Sequence, residues 1–192
     1  SNGGIRSYLL EEVYAGKPLY HLLSDIPPDG PARRLAARFG ANAGAHATVA
    51  ACATGTLAVI HGVRTIRDGR ADVVLAGSSD ASLHPLWFAA FRQIGLLASE
   101  PAEFGPGWAC RPFDAGRSGF AISEGAGMLV LESAESVRRR GVRPLARISG
   151  YAMGSDPSGL TQLRRDGTPL ARIAGLACHR AGIQGSDLAG IQ

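Results

Sequence analysis

The stretch from Ala45 to Gly77 constrains the fold more than any other. A run of small residues, Thr48-Val49-Ala50-Ala51, arrives at Cys52. A helical pattern leaves immediately after it: Leu57, Ala58, Val59, Ile60, Val63 and Ile66 are apolar, while Arg64, Arg67 and Asp68 are polar. Gly69 closes that helix. Ala71-Asp72-Val73-Val74-Leu75-Ala76-Gly77 is then a nearly continuous apolar run, the signature of a strand buried on both faces. A strand over Ala45–Ala51, a helix over 53–68 and a strand over Ala71–Gly77 predict a right-handed crossover unit and an α/β class. In such sheets reactive groups lie beyond the carboxyl ends of the strands, which is where Cys52 falls.

A cysteine at a strand-to-helix junction sits beside unpaired backbone N–H groups and the positive end of a helix dipole. Such surroundings favour thiolates and suit a nucleophile. The neighbours Ala51, Ala53 and Gly55 leave room for a substrate. The competing reading is a buried structural cysteine, since free Cys is among the most buried residue types. Cys110 and Cys178 lack the small-residue setting and read as structural. Three scattered cysteines without paired metal spacing fit a reducing cytosol better than a disulfide framework.

Four blocks extend the signal beyond one cysteine. They are Ala51-Cys52-Ala53-Thr54-Gly55, Gly69 to Gly77, Arg111-Pro112-Phe113-Asp114-Ala115-Gly116-Arg117-Ser118-Gly119-Phe120, and Ser123 to Glu132. In order and spacing they resemble the β-ketoacyl-acyl carrier protein synthases, condensing enzymes of the thiolase-like superfamily. The resemblance implies a layered αβαβα fold. Residues 1–192 would form a ketosynthase N-terminal-type domain, incomplete at both ends, with the C-terminal half beginning near 145. It implies that Cys52 takes an acyl chain from a carrier thioester. A malonyl-carrier thioester then loses carbon dioxide and attacks, lengthening the chain by two carbons. Two histidines that stabilise the enolate would lie past Gln192. Phe91 falls where the family lines its acyl pocket and Phe120 beside the nucleophile, although core packing would use the same aromatic surface. No metal or cofactor is implied. The implied partners are an acyl carrier protein and a second ketosynthase-like subunit, in a homodimer or heterodimer.

Two other readings stay open. One is a non-condensing partner resembling the chain-length factors, against which the retained Cys52 argues. The other is a thiolase-like acyltransferase using coenzyme A thioesters. The chain also departs from the family pattern. Arg33-Arg34 stand where related enzymes often carry Gly-His, Ala43-Gly44 replaces Gly-Pro, and Ser118 replaces an aspartate expected to order its loop.

Taken in order, Gly4–Ala15 reads as a helix and 17–30 as a Pro/Gly loop. A helix from Pro31 stops at Gly40. Ser78–Ser82 reads as a polar turn, Pro85–Gln93 as an aromatic-rich helix and Ser99–Pro112 as a loop. A buried strand is expected at Met128–Leu131, and a helix over Ser133–Arg140 capped by Ser133. Leu145–Met153 is predicted to be another strand. A last helix starts at Thr168-Pro169, with Thr168 as cap, and stops at Gly182. Asp114 and Glu124 read as carboxylates that order loops.

Could a histidine of this segment serve Cys52? His46 lies six residues earlier, roughly 20 Å along a strand. His61 lies nine residues later, roughly 13 Å along a helix. Only His84, after the Ala71–Gly77 strand, is placed to approach. The segment alone is therefore not expected to complete a condensation. A half-built sheet would also leave edges and apolar faces uncovered, so poor solubility is expected of it alone.

Net charge is +4 and almost wholly arginine, with Lys17 the only lysine. Arg138-Arg139-Arg140 with Arg143, and Arg33, Arg34 with Arg38, are basic clusters read as solvated faces or as docking for an acidic carrier. They lack the aromatic interleaving of a nucleic-acid module. No run reaches membrane-spanning length and no leader is visible, which points to a cytoplasmic protein.

Overall fold

The computed structural model describes residues 15, 27–99, 105–159 and 162–191. The helix read for Gly4–Ala15, Ala15 apart, and most of the following loop lie outside them. The chain divides into two compact units, one ending at Ser136 and one starting at Val137.

In the first unit, α1 spans Gly30–Phe39. Pro31 occupies its first turn, and Gly40 ends it in the left-handed conformation at φ 64°. Arg33 reaches back one turn to Asp29 at 3.1 Å. Residues 41–50 follow without a strand. The expected strand at Ala45–Ala51 is thus not formed: a strand exists by pairing, and this run has no ladder partner among the described residues. Ala51–Ala53 is instead a single 3₁₀ turn. It feeds α2, Thr54–Arg67, as the apolar periodicity requires.

The sheet has two strands among the described residues, β1 (Val73–Asp80) and β2 (Gly125–Glu132). They pair antiparallel from Val73↔Glu132 to Asp80↔Gly125, so the described ladder is not the parallel crossover expected from sequence. Both strands run past their expected apolar cores. β1 continues through Ser78-Ser79-Asp80, and β2 begins at the glycines 125–127. Close approach makes that register possible. A Cβ on Gly77 would lie 2.0 Å from the backbone oxygen of Gly127.

Helix α2 packs on one face of this sheet, and glycine contacts identify the face. A Cβ on Gly62 would meet Leu131 Cδ1 at 2.7 Å, Val74 Cγ1 at 3.2 Å and Ala76 Cβ at 3.4 Å. A Cβ on Gly55 would meet Ser78 Oγ at 2.8 Å. Side chains alternate along a strand, so positions 74, 76, 78 and 80 of β1 face α2. Their partners are Leu131, Leu129, Gly127 and Gly125. The row passes from apolar and filled to polar and bare. Ala76 (4% exposed) and Leu131 (9%) are buried at its filled end, where Gly62 meets them, and Ile60 of α2 is buried as well (6%).

Helix α3, Pro85–Gln93, matches its expected bounds. Phe120 then returns beside Leu97 in a parallel bridge, with Ala98 N donating to Phe120 O and Phe120 N to Leu96 O, both at 3.0 Å. Helix α4, Ala134–Arg140, is capped as expected: Ser136 N donates to Ser133 Oγ at 3.1 Å. Ser133 is also tied to Asp72, just ahead of β1, by its own backbone N–H at 2.8 Å.

In the second unit, helix α5 spans Thr168–Ala181 and ends on left-handed Gly182. Its cap differs from the expectation. Thr168 is already helical, and its N–H donates to Asp166 Oδ1 at 3.0 Å, because left-handed Gly167 lets the aspartate reach the helix start. The predicted strand Leu145–Met153 does not form a ladder among the described residues. That segment lies against α5 instead: Arg180 donates to Tyr151 O at 3.0 Å, and a Cβ on Gly150 would sit 2.3 Å from Ala177 O.

Candidate active site

Cys52 sits in the 3₁₀ turn that leads into α2, and it is exposed. The turn is sharp because Ala51 is left-handed, at φ 47°. A non-glycine residue there costs of order 1–2 kcal/mol, so neighbouring bonds must hold it. Ala50 supplies two of them. Its N–H donates to Thr54 Oγ1 at 2.9 Å, and its carbonyl accepts from Ala53 N at 3.0 Å. Thr54 N donates in turn to Ala51 O. The small side chains of this stretch give the strained turn space. The cysteine is therefore displayed at a helix start by a local hydrogen-bonded clasp, where the sequence had suggested the end of a strand.

Cys52 opens into a cleft of about 270 Å³. One wall is Ala51, Thr54 and Gly55 of the turn and α2; the other is Ser78, Ser79 and Asp80 of β1 with Gly125, Ala126 and Gly127 of β2. This is the bare, polar end of the α2-facing row. Asp80 is held by the hydroxyl of Ser82, which donates to its Oδ1. The β1 residues escaped the sequence reading, which took Ser78 to Ser82 for a turn. The signal was there in parity: Ser78 and Asp80 continue the every-second-residue row of Val74 and Ala76.

The two phenylalanines singled out from sequence are brought together. Their rings meet edge-on, 5.2 Å between centroids at 77°, and Phe91 also lies 6.1 Å from Trp87. The pair sits by the Leu97–Phe120 bridge. The lining of the Cys52 cleft comes from the other residues just named. Ser118, in the aspartate's place, still ties its loop: Ser99 N donates to Ser118 Oγ at 3.0 Å. Asp114 accepts from Gly116 N at 2.6 Å and Glu124 from Leu83 N at 3.1 Å, so both do order loops.

The histidines have other surroundings. His84 is the N-cap of α3, its Nδ1 accepting from Leu86 N at 3.2 Å. His46 and His61 face each other, 5.9 Å between centroids, in a separate cleft of about 570 Å³ along β1. Among the described residues no group of three His, Cys, Asp or Glu side chains gathers as a metal site. No described helix is long and apolar enough to cross a membrane.

Comparison with known proteins places this geometry in a family. Residues 13–136 match the family model "Beta-ketoacyl synthase, N-terminal domain". The chain is 35% identical over 188 residues to the tetracenomycin polyketide synthase ketoacyl synthase alpha subunit of Streptomyces glaucescens, covering 98% of this chain and 43% of that protein. It is 36% identical over 143 residues to 3-oxoacyl-[acyl-carrier-protein] synthase 2 of Rhizobium meliloti, covering 74% of this chain and 34% of that protein. Among solved structures it superposes on a type II ketosynthase held in complex with its acyl-carrier protein and bound to a hexaketide. The TM-score is 0.81 at 35% identity, over 87% of this chain and 41% of that one. The ishigamide ketosynthase/chain length factor gives a TM-score of 0.80 at 34% identity, over 96% and 44%. These neighbours carry the α/β, thiolase-like fold class. The chain spans about two fifths of the length of the curated relatives it matches. On the match over 13–136 and on relatives of this similarity, the chain belongs to the β-ketoacyl synthase family.

Proposed function

We propose that this chain is the cysteine-bearing portion of a β-ketoacyl-carrier protein synthase acting in fatty-acid or type II polyketide synthesis. One observation carries the reading: an exposed cysteine, displayed on a strained turn at a helix start, lines an open cleft. The Cys52 sulfur attacks the carbonyl of an acyl-carrier thioester. A new carbon–sulfur bond forms, the bond to the carrier sulfur breaks, and the carrier thiol leaves with the proton. The Cys52 backbone N–H is the candidate oxyanion donor. Malonyl-carrier thioester then loses carbon dioxide, and its enolate carbon attacks the acyl-enzyme. A carbon–carbon bond forms and Cys52 is released. The histidines of that step are assigned to the C-terminal half of the protein, which begins near residue 145 in this reading. Phe91 and Phe120 are assigned to the wall of the acyl pocket further from the sulfur, and their edge-on packing supports a shared surface.

The protein is taken to be cytoplasmic and to pair with a ketosynthase-like subunit, as the ketosynthase/chain length factor neighbour does. The carrier-bound neighbour supports an acyl carrier protein as donor. A chain-length-factor role is disfavoured by the displayed Cys52. The test uses the whole reading frame, incubated with an acyl-carrier thioester and read by intact mass. A single acyl adduct on Cys52, absent in Cys52→Ala, is expected. An adduct that survives in Cys52→Ala, or none with either carrier or coenzyme A donors, overturns the assignment.

A further inference from the structure

The turn that displays Cys52 is held by one bond that the backbone alone does not supply. Ala50 O accepts from Ala53 N at 3.0 Å, which closes a four-residue turn with Ala51 at its second position. Ala51 is left-handed there, at φ 47°, where glycine is the usual occupant. An alanine left to itself favours right-handed or extended backbone, and the turn would open. Thr54, the first residue of α2, opposes that opening: its Oγ1 accepts from Ala50 N at 2.9 Å. Residues 41–50 form no ladder among the described residues, so no strand there holds Ala50 in the hydroxyl's stead. Thr54 thus fastens the chain entering the turn to a helix that is itself seated on the sheet through Gly62. Cys52 lies between the two fastened ends, one residue past the strained one.

We infer that Thr54 is a positioning residue for Cys52: by holding Ala50, its hydroxyl keeps Ala51 left-handed and so sets where the sulfur and the Cys52 backbone N–H stand in the cleft. This rests on Cys52 being the acylated residue. Acyl transfer needs both groups placed at once, the sulfur at the thioester carbon and the N–H at its oxygen. Alkylation by a small reagent needs only an accessible sulfur, and Cys52 is exposed. The two reactions therefore respond differently to loss of the clasp. The bond changes are those of the acyl transfer already written, and Thr54 takes no part in them. Serine can replace it, because the hydroxyl is what acts; valine has its shape but accepts no hydrogen bond.

The experiment follows Cys52 loading from a butyryl-carrier thioester on the whole protein, by intact mass and over a range of donor concentrations, beside alkylation by iodoacetamide. In Thr54→Val the maximal loading rate should fall roughly tenfold, the scale of one hydrogen bond, while the half-saturating donor concentration and the alkylation rate stay within about threefold of wild type. Thr54→Ser should restore loading. Ala51→Gly removes the strain that the clasp opposes, so in that background Thr54→Val should cost less than about threefold. Thr54→Ala lacks the same acceptor and decides the matter if Thr54→Val does not fold. Loading at the wild-type rate in these variants overturns the inference, as does a loss that neither Thr54→Ser nor the Ala51→Gly background relieves. A raised half-saturating concentration at an unchanged maximal rate overturns it too, since Thr54 would then bind the donor directly. Unfolding of both Thr54→Val and Thr54→Ala would make Thr54 a residue of the fold alone. Each of these outcomes leaves Cys52 as the acyl acceptor. Failure of wild-type Cys52 to load from carrier or coenzyme A thioesters overturns both readings.

Discussion

The two ends of the α2–sheet contact share one antiparallel ladder and hold opposite contents. At one end Ala76 and Leu131 are buried and Gly62 lets the helix settle onto Leu131 and Val74. At the other, Gly55, Ser78, Gly127 and Gly125 leave a cleft, and Cys52 stands at its mouth. The difference shows how one helix can be both anchor and presenter. Dispersion and apolar burial fix its far end. Because that end is fixed, the 3₁₀ turn that leads into the helix can carry a strained residue, Ala51, beside an unfilled space. Gly55 and Gly62, the two contact points, are separated by about two helical turns.

That separation can be broken in three ways. The harshest is Gly77→Ala, where the added methyl would meet the Gly127 carbonyl, a backbone atom that cannot step aside. It should cost more than about 3 kcal/mol and remove both ends at once, seen as loss of the cooperative melt together with Cys52 loading. Leu131→Ala attacks the filled end alone. It should cost about 2–4 kcal/mol in urea unfolding while folded protein still loads Cys52 at close to the wild-type rate. Gly55→Ala attacks the empty end. Its methyl meets only the Ser78 side chain, whose hydroxyl can rotate away, and alanine improves the helix, so stability should move by less than about 1 kcal/mol. Acyl loading should nevertheless drop at least roughly tenfold, since a misplaced reacting group is costly. Equal losses of stability in the last two variants would show that the ends are not separate.

Much of this was legible in sequence, and the misses share a cause. Helices came through because their signals are local: Pro31 and Gly40 bound α1, apolar spacing marks α2, and Ser133 caps α4. Cys52 was legible for the same reason, as a junction residue among alanines. Strands were harder because pairing is not local. Nothing in Ala45–Ala51 or Leu145–Met153 tells whether a neighbour will complete a ladder, and among the described residues none does. Ser78 and Asp80 were misread because polar residues suggested a turn. In fact strand β1 continues there, with Ser78 and Asp80 opposite glycines that pair through backbone alone. Composition reported solvent, whereas register put those side chains in the cleft.

The smallest expected effect extends the comparison to a part of the chain held by carboxylates in place of apolar contact. In the second unit, Asp156 accepts from Ser158 Oγ and N and from Arg164 N, while Asp166 accepts from Arg164 and from Thr168 N at the start of α5. These bonds hold both carboxyls below the ordinary aspartate value of 3.8, the Ser158 hydroxyl being the main cause for Asp156 and the Arg164 guanidinium for Asp166. A carboxyl with a depressed folded pKa favours the folded loop above its unfolded pKa and gives that contribution up as pH falls through the folded value. Amide resonances of Arg164 and Thr168 should therefore titrate with midpoints below 3.8, and Asp166→Asn should abolish the Thr168 titration. Midpoints at or above the ordinary value would mean that these bonds do not persist in solution. The loop before α5 would then owe its shape to glycine and proline, Gly167 and Pro169, and not to its charges.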